Sequence, residues 1–522
     1  MPSLCYTWLS HAGFAELVRL KILKKRSVVR VSALVSMSCA LCLMLLACGK
    51  DFYIAGRSLP PSGILNRVMF AEQNPSALPF VDAYYDVRHN TSGTVAQFSI
   101  SGFSGTLPVA IQNMPDQQTG AISSANSSSL ILVNYAQEKV SQTLTIPGGY
   151  ANSVFVSHDL NYLYAANDAN HVVSIYDSPA KGSYVLNLPN VDSISVNPGG
   201  TIALAFIKNS DQAASQSTQN GTPNGDFSVY SVVKLTQSQS LAAANNPHYT
   251  YTGPNGVTNT AEDCEPQNLP GYCLFPVSTA SGAKFDHPVK AVFSSDGSTI
   301  YVLDCGPECG GTEAGITAIP ITAPSLNTGN VGASGINLTA TSFTPIPDGV
   351  TDALFNGNTM YLAGQKCSGT YTTGAGCSGL FAGYLTAYDT SSNSITGTYS
   401  ISDGDHEKML LADENTLWIG SNDCNQGVRY AAATSGQNIP YGCLTMFNTS
   451  NGAVTVDSYK GNATGIAAVT NFNKVYTAEG GQVYIYSTAN MAQLDNTNVT
   501  VAGTVTDVAY IDGETDANNT DY

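Results

Sequence analysis

The chain has 522 residues, with 38 acidic against 21 basic and a net charge of −17. That balance sets aside nucleic acid as a partner, because its binding rests on Lys and Arg neutralising phosphates, and it sets aside a basic membrane-binding face. Only 11% of residues are charged, so Ser, Thr, Asn, Gln and Gly carry the polarity; with 28 Tyr and many β-branched residues, this favours strands and turns over helices.

The first element is an export signal. Lys24-Lys25-Arg26 and Arg30 precede an apolar run, Val31 to Ala47, that ends in Leu45-Leu46-Ala47-Cys48. A basic segment, a short apolar segment and a small residue before the cut make a secretory signal. The run is at the lower edge of what spans a bilayer, so an uncleaved anchor is the alternative. The Leu, Ala and Cys in this spacing resemble the lipobox of bacterial lipoproteins. That resemblance implies that Cys48 is the acylated mature N-terminus and that the lipid anchor makes a membrane its partner, several acyl chains together holding firmly. It implies a cell-envelope location, periplasmic or surface-facing. Gly49 is not an Asp-type retention residue, which points to the outer membrane. Residues 1–47 are the signal, with an overlong start whose expected beginning lies between Leu20 and Val29. Residues 48–64 are a tether. Removing 1–47 takes away six basic residues and one acidic one, leaving 15 against 37 and a net charge of −22.

Beyond the tether the chain repeats itself. Arg67–Ala71 reads as a strand, followed by Phe80–Asp86 and Thr94–Ile100, with no first strand before it. The clearest module runs Ser153–Val156, Tyr162–Asn167, Val172–Asp177 and Tyr184–Asn187, four short period-2 strands with turn residues between them. Its second strand returns as Ile300–Asp304, Met360–Gly364, Leu417–Gly420 and Val475–Ala478. Its third returns as Leu385–Asp389, Leu444–Asn448 and Val483–Tyr486. Several third strands end on an aromatic followed by Asp or Asn, whose side chain can cap its own backbone at the corner. Pro198-Gly199, Asp296-Gly297 and Asn356-Gly357 mark turns between first and second strands.

LYAAND at Leu163–Asp168 and VVSIYD at Val172–Asp177 resemble the YVTN-type β-propeller repeats of bacterial and archaeal envelope proteins. The resemblance covers residues 65–511 and implies an all-β fold of four-stranded antiparallel blades. Counting second strands gives eight blades; seven is the alternative, because the modules before residue 147 are weakly patterned. Val505–Tyr510 supplies the strand missing from the first blade, so N- and C-terminal strands close the ring and remove its exposed edges. Insertions are expected at 208–226, rich in Gln, Ser, Asn and Gly, and at 235–287, with further loops at 324–335 and 364–379. Residues 512–522 are a polar, disordered tail.

The cysteines after Cys48 fall into four close pairs: Cys264 with Cys273, Cys305 with Cys309, Cys367 with Cys377, and Cys424 with Cys443. An even number in an exported chain reads as disulfides, each closing a loop within one module or insertion. The rival, a metal held by Cys305 and Cys309, finds no CxxC pair or nearby Cys/His partner for a four-ligand site.

No nucleophile elbow, zinc-protease motif, P-loop or dinucleotide fingerprint occurs, so no catalytic residue, metal or cofactor is assigned. His158, His171, His248 and His287 lie near turns and read as surface residues. Asp403-Gly404-Asp405-His406-Glu407 is the densest polar cluster; it could ligate a hard cation but lacks the remaining ligands of a calcium loop, and reads as a solvated loop between modules. Asp263, Glu265 and Asp286 flank the stapled insertion as a solubilising rim. Tyr162, Tyr164, Tyr301, Tyr361, Trp418 and Tyr476 fit core packing between blades. Two function classes follow. One is an envelope lipoprotein whose propeller is a non-catalytic scaffold for a protein or glycan. The other is a propeller enzyme, of lactonase or quinone-cofactor dehydrogenase type, which needs ionisable residues from several blades at the central channel. The strand starts are mostly Ser, Ala, Val and Thr, which favours the scaffold.

Overall fold

Short period-2 runs, of three to nine residues in the blades, broken by tight turns, satisfy their backbones by pairing with the next run in sequence. The computed structural model describes residues 60–86 and 98–512, apart from 116–117, 189, 208–210, 213–227, 236–248, 253–257, 262–263, 266–270, 322–337, 414, 470–471 and 495–498. The signal, Cys48, Thr94–Ala96, Asp263, His248 and the tail from Gly513 lie outside the described residues. Among the described residues, eight antiparallel sheets of three or more strands follow one another in chain order, with four two-stranded pairings beside them.

The second blade runs from Leu107–Asn113 to Lys139–Thr145 and the third from Ser153–Val156 to Gly182–Asn187. The fifth runs from Pro288–Phe293 to Ser342–Pro345, the sixth from Asp352–Asn356 to Ser394–Ser400, and the seventh from Asp405–Ala412 to Val454–Val456. The eighth contains Ala463–Val469, Lys474–Glu479 and Gln482–Ser487, and single bridges Val483↔Val499 and Tyr486↔Gln493 fill its outer position. The first blade is shared between the two ends of the chain. Arg67–Gln73 lies between Phe80–Asp82 and Thr504–Tyr510, with Val68 opposite Tyr510 and Gln73 opposite Thr504. A bridge from Pro79 to Ser99 adds its outer edge.

Closure is visible in the core. The buried apolar side chains fall into eight clusters, and each spans one interface between consecutive blades, including eighth to first and first to second. Eight interfaces for eight blades is the count of a closed ring. The repeat aromatics serve these interfaces. Trp418 packs on Tyr486 at 5.6 Å, Tyr361 on Phe447 at 5.6 Å, and Tyr301 on Phe355 at 5.9 Å, each pair bridging two blades.

Two boundaries differ from the sequence expectation. Gly271–Pro276 is not part of an insertion; it pairs with Val229–Leu235 as the fourth strand of the fourth blade. Asp512 is not tail. Its carboxylate takes Arg67 Nη2 at 2.7 Å and Nε at 3.0 Å, while Arg67 Nη1 reaches Glu138 at 2.9 Å. All three side chains are buried, which joins the entry strand, the exit strand and the second blade.

Candidate functional site

The innermost strand of each blade borders the central channel, and most of these strands carry a β-bulge near their start. The extra residue sits at Val109, Asp192, Val289, Glu407, Thr464 and Thr506. A bulge leaves one residue unpaired and re-aims the one that follows. The following residues are Ala110, Ser193, Lys290, Lys408, Gly465 and Asp507. Ser153 and Asp352 take the same place without a bulge, each one residue after an N–H that bonds the second strand, Asn152 to Ala166 and Thr351 to Ala363.

These eight positions form a belt that stitches blade to blade. Asp507 accepts Ile111 N at 2.9 Å, Ser153 Oγ accepts Ile194 N at 3.2 Å, and Ser193 Oγ donates to Val289 O at 2.8 Å. Lys290 Nζ donates to Asp352 at 2.5 Å, and Asp352 also accepts Ala353 N at 2.8 Å. Lys408 Nζ reaches across the eighth blade to both oxygens of Asp507 at 3.5 Å. That reach requires glycine at 465, where a Cβ would lie 2.7 Å from Asp507 Cα. Burial raises the Asp507 carboxyl above the usual carboxylate range, while Lys408 and the backbone donors pull it back. Four of eight belt residues are ionisable, which corrects the reading of the strand starts as Ser, Ala, Val and Thr. The bulge displaces the register by one residue, and Lys290 and Lys408 sit one place beyond where regular alternation puts them.

Three belt residues, Lys290, Asp352 and Lys408, line a cavity of about 550 Å³ bounded by the third to seventh blades. Its ionic end holds Lys290, Asp352, Glu407 and Lys408. Residues of the hairpin turns between first and second strands, Asn197, Pro198, Ser294 and Ser295, also line it.

The opposite face carries the loops between second and third strands, and disulfides tie three of them. Cys305–Cys309, Cys367–Cys377 and Cys424–Cys443 belong to the fifth, sixth and seventh blades in turn. Cys273 is also disulfide-bonded, and Cys264 stands directly across from it in the strand pairing. The polar residues singled out on this face organise the loops. Asp286 is buried rather than a solvated rim residue: it accepts Thr312 N at 3.0 Å, Glu313 N at 2.8 Å and the Thr312 hydroxyl. These donors and the neighbouring His287 hold its carboxyl well below the usual range. His287, expected at the surface, is buried beside it.

The 403–407 cluster is solvated only in part: Asp405 and Glu407 are exposed, on a strand rather than a loop. Asp403 is buried and accepts Gly383 N at 2.9 Å and Arg429 N at 2.6 Å, which seats the short helix Val428–Thr434. Asp405 to Glu407 open the innermost strand of the seventh blade. Buried His406 donates from Nε2 to Ser402 O at 3.0 Å, and burial drives its pKa down to about 4, so it is neutral at pH 7. Among the described residues no three His, Cys, Asp or Glu side chains form a metal-holding group. Glu308, in the turn Gly306–Cys309, accepts both Gln365 N and Gln365 Nε2 at 2.8 Å, and Gln365 Oε1 accepts Gly404 N at 2.9 Å. One chain of hydrogen bonds thus links the fifth, sixth and seventh blades. Burial, with Asp405 nearby, lifts the Glu308 carboxyl to about 7 against the pull of its hydrogen bonds. Outside that chain, Tyr441 meets Tyr430 edge-on and stacks on Tyr459 in a partly exposed group, with Asn425 donating to Tyr459 Oη at 3.3 Å.

No protein-family model matches this sequence, and no curated protein matches it. Solved structures similar to it include the Dos1 propeller, at 10% identity over 76% of this chain and 85% of that one, with a TM-score of 0.44. AztD from Citrobacter koseri shares 11% identity over 85% and 97%, with a TM-score of 0.42. The dihydro-heme d1 dehydrogenase NirN shares 9% over 87% and 79%, with a TM-score of 0.49. Likenesses this distant carry nothing about activity.

Proposed function

We propose that this protein is an envelope lipoprotein of the YVTN-type propeller kind, tethered through Cys48, whose propeller binds its partner without transforming it. The belt carries the reading. Its ionisable groups are engaged with one another and with backbone N–H groups of the next blade, so they act as fixed charges. A general acid or base needs a proton free to move. Disulfides in successive loops accord with an oxidising compartment outside the cytoplasm. The tyrosine group at Tyr430, Tyr441 and Tyr459, flanked by the amide of Asn425, offers the disulfide-tied face a surface for a protein or glycan partner.

Two measurements test this. Labelled palmitate should enter the wild-type protein and not Cys48→Ser; label in the variant would remove the tether. Incubation with lactones, and with alcohols plus a quinone acceptor, should give no turnover above a denatured control. Turnover that Lys408→Met abolishes would replace the scaffold with the second reading, a propeller enzyme. One observation favours that second reading: Lys290, Asp352 and Lys408 converge from three blades on the channel cavity, with Asp507 paired to Lys408 behind it.

A further inference from the structure

We infer that the channel cavity is a binding site for a small organic monocarboxylate with an apolar body, a short fatty or aryl-alkyl acid. The inference rests on the binding reading above and gives it a ligand class.

The argument begins with which charges the cavity presents. In both belt pairs the cation is accessible and the anion is withdrawn. The Lys290 and Lys408 side chains are 44% and 39% exposed, against 4% and 5% for Asp352 and Asp507. Each ammonium has three donors, and its carboxylate partner leaves the others free to point into the channel. Lys408 is the looser of the two, held at 3.5 Å where Lys290 is held at 2.5 Å. Glu407, the remaining acidic residue of the wall, is exposed, and Asn422 Nδ2 donates to one of its oxygens at 2.8 Å. An anionic head therefore meets two ammonium donors here, with one exposed carboxylate beside them.

The rest of the cavity is mixed. The part-exposed side chains of Phe155, Phe293 and Met409 line it together with Ser195, Asn197, Ser294 and Ser295. A fully ionic ligand would leave the three apolar side chains uncovered, whereas an alkyl or aryl body covers them. The volume of about 550 Å³ lies in the range of small-molecule sites. A carboxylate suits two ammonium groups as point donors, in a cavity that offers no planar guanidinium fork.

The test is equilibrium dialysis of the full-length protein in a neutral detergent with labelled octanoate. Octanol and octylamine serve as neutral and cationic bodies of the same length. Octanoate should bind saturably, one per chain, and at least tenfold more tightly than either control. Lys408→Met should weaken octanoate at least tenfold. Lys290→Met with Asp352→Asn should do the same, and as a double change it leaves no uncompensated buried charge to unfold the blade. Phe293→Ala should weaken binding severalfold while keeping the preference for the anion. Octylamine binding as well as octanoate, unchanged affinity in the lysine variants, or no saturable binding in the millimolar range would each overturn the proposal. Octanoate recovered chemically altered would instead overturn the non-catalytic reading and leave the site standing.

Discussion

The seam at the first blade and the sector from fifth to seventh blades hold their neighbours by different means. In the sector, disulfides close loops of 4, 10 and 19 residues, and hydrogen bonds through Glu308, Gln365 and Gly404 tie one loop to the next. At the seam nothing covalent helps. Arg67 and Asp512 are 445 residues apart, and the blade exists only because Thr504–Tyr510 finds Arg67–Gln73. Local staples stiffen parts of the ring, and the seam alone decides whether there is a ring.

Cutting the seam should therefore have the largest effect. Removing 503–522 exposes the edge of Arg67–Gln73 and uncovers two interface clusters, and unfolding should lose its single cooperative transition. Melting followed by circular dichroism reads this directly, and a wild-type curve would show that closure does not need the C-terminal strand. Next comes Arg67→Met, which leaves Glu138 and Asp512 buried without their cation. A loss of about 3–5 kcal/mol is expected in urea titration, and a loss below that of the staples would reverse the comparison.

Within the sector, Cys424→Ser with Cys443→Ser should cost about 3 kcal/mol, and the four-residue Cys305–Cys309 loop about 2 kcal/mol, in the chain-entropy account. Neither should split the transition. Comparable at most is a pH effect at Glu308. A carboxyl raised in the folded state contributes most below its ordinary value of 4.5, and that contribution is lost as pH climbs through about 7. Stability should fall over that window by at most ~1.4 kcal/mol per pH unit, and Glu308→Gln should flatten the slope. Parallel slopes for both proteins would place the titration elsewhere. Removing only 513–522 should change nothing measurable.

The repeat was legible because its signal is local. An aromatic, a turn and an Asp or Asn corner recur at fixed spacing, and an orphan strand at each end gave the closure. The belt was hidden by its bulges, since a one-residue slip exchanges the faces of a strand and placed Val289 where Lys290 acts. Asp286 and Asp403 looked solvated because their partners lie 26 residues away, at Thr312 and Arg429, with no spacing to betray them. The fourth blade was misread for another reason. A close cysteine pair suggested a stapled loop, and it stands across the strand Gly271–Pro276.

The belt's equivalence of position has one further consequence. Eight residues at the same place in eight separate modules, six of them set by a bulge, behave like keys on a lock cylinder. Changing one key alters the group met at the channel, together with any bond that residue makes to the next blade. Ala110, Ser153 and Ser193 are small keys that could be recut as acids or bases. Gly465 is fixed, because the backbone of Asp507 fills the space a side chain would need. A lineage carrying this fold can thus change what its channel accepts by single substitutions at known addresses.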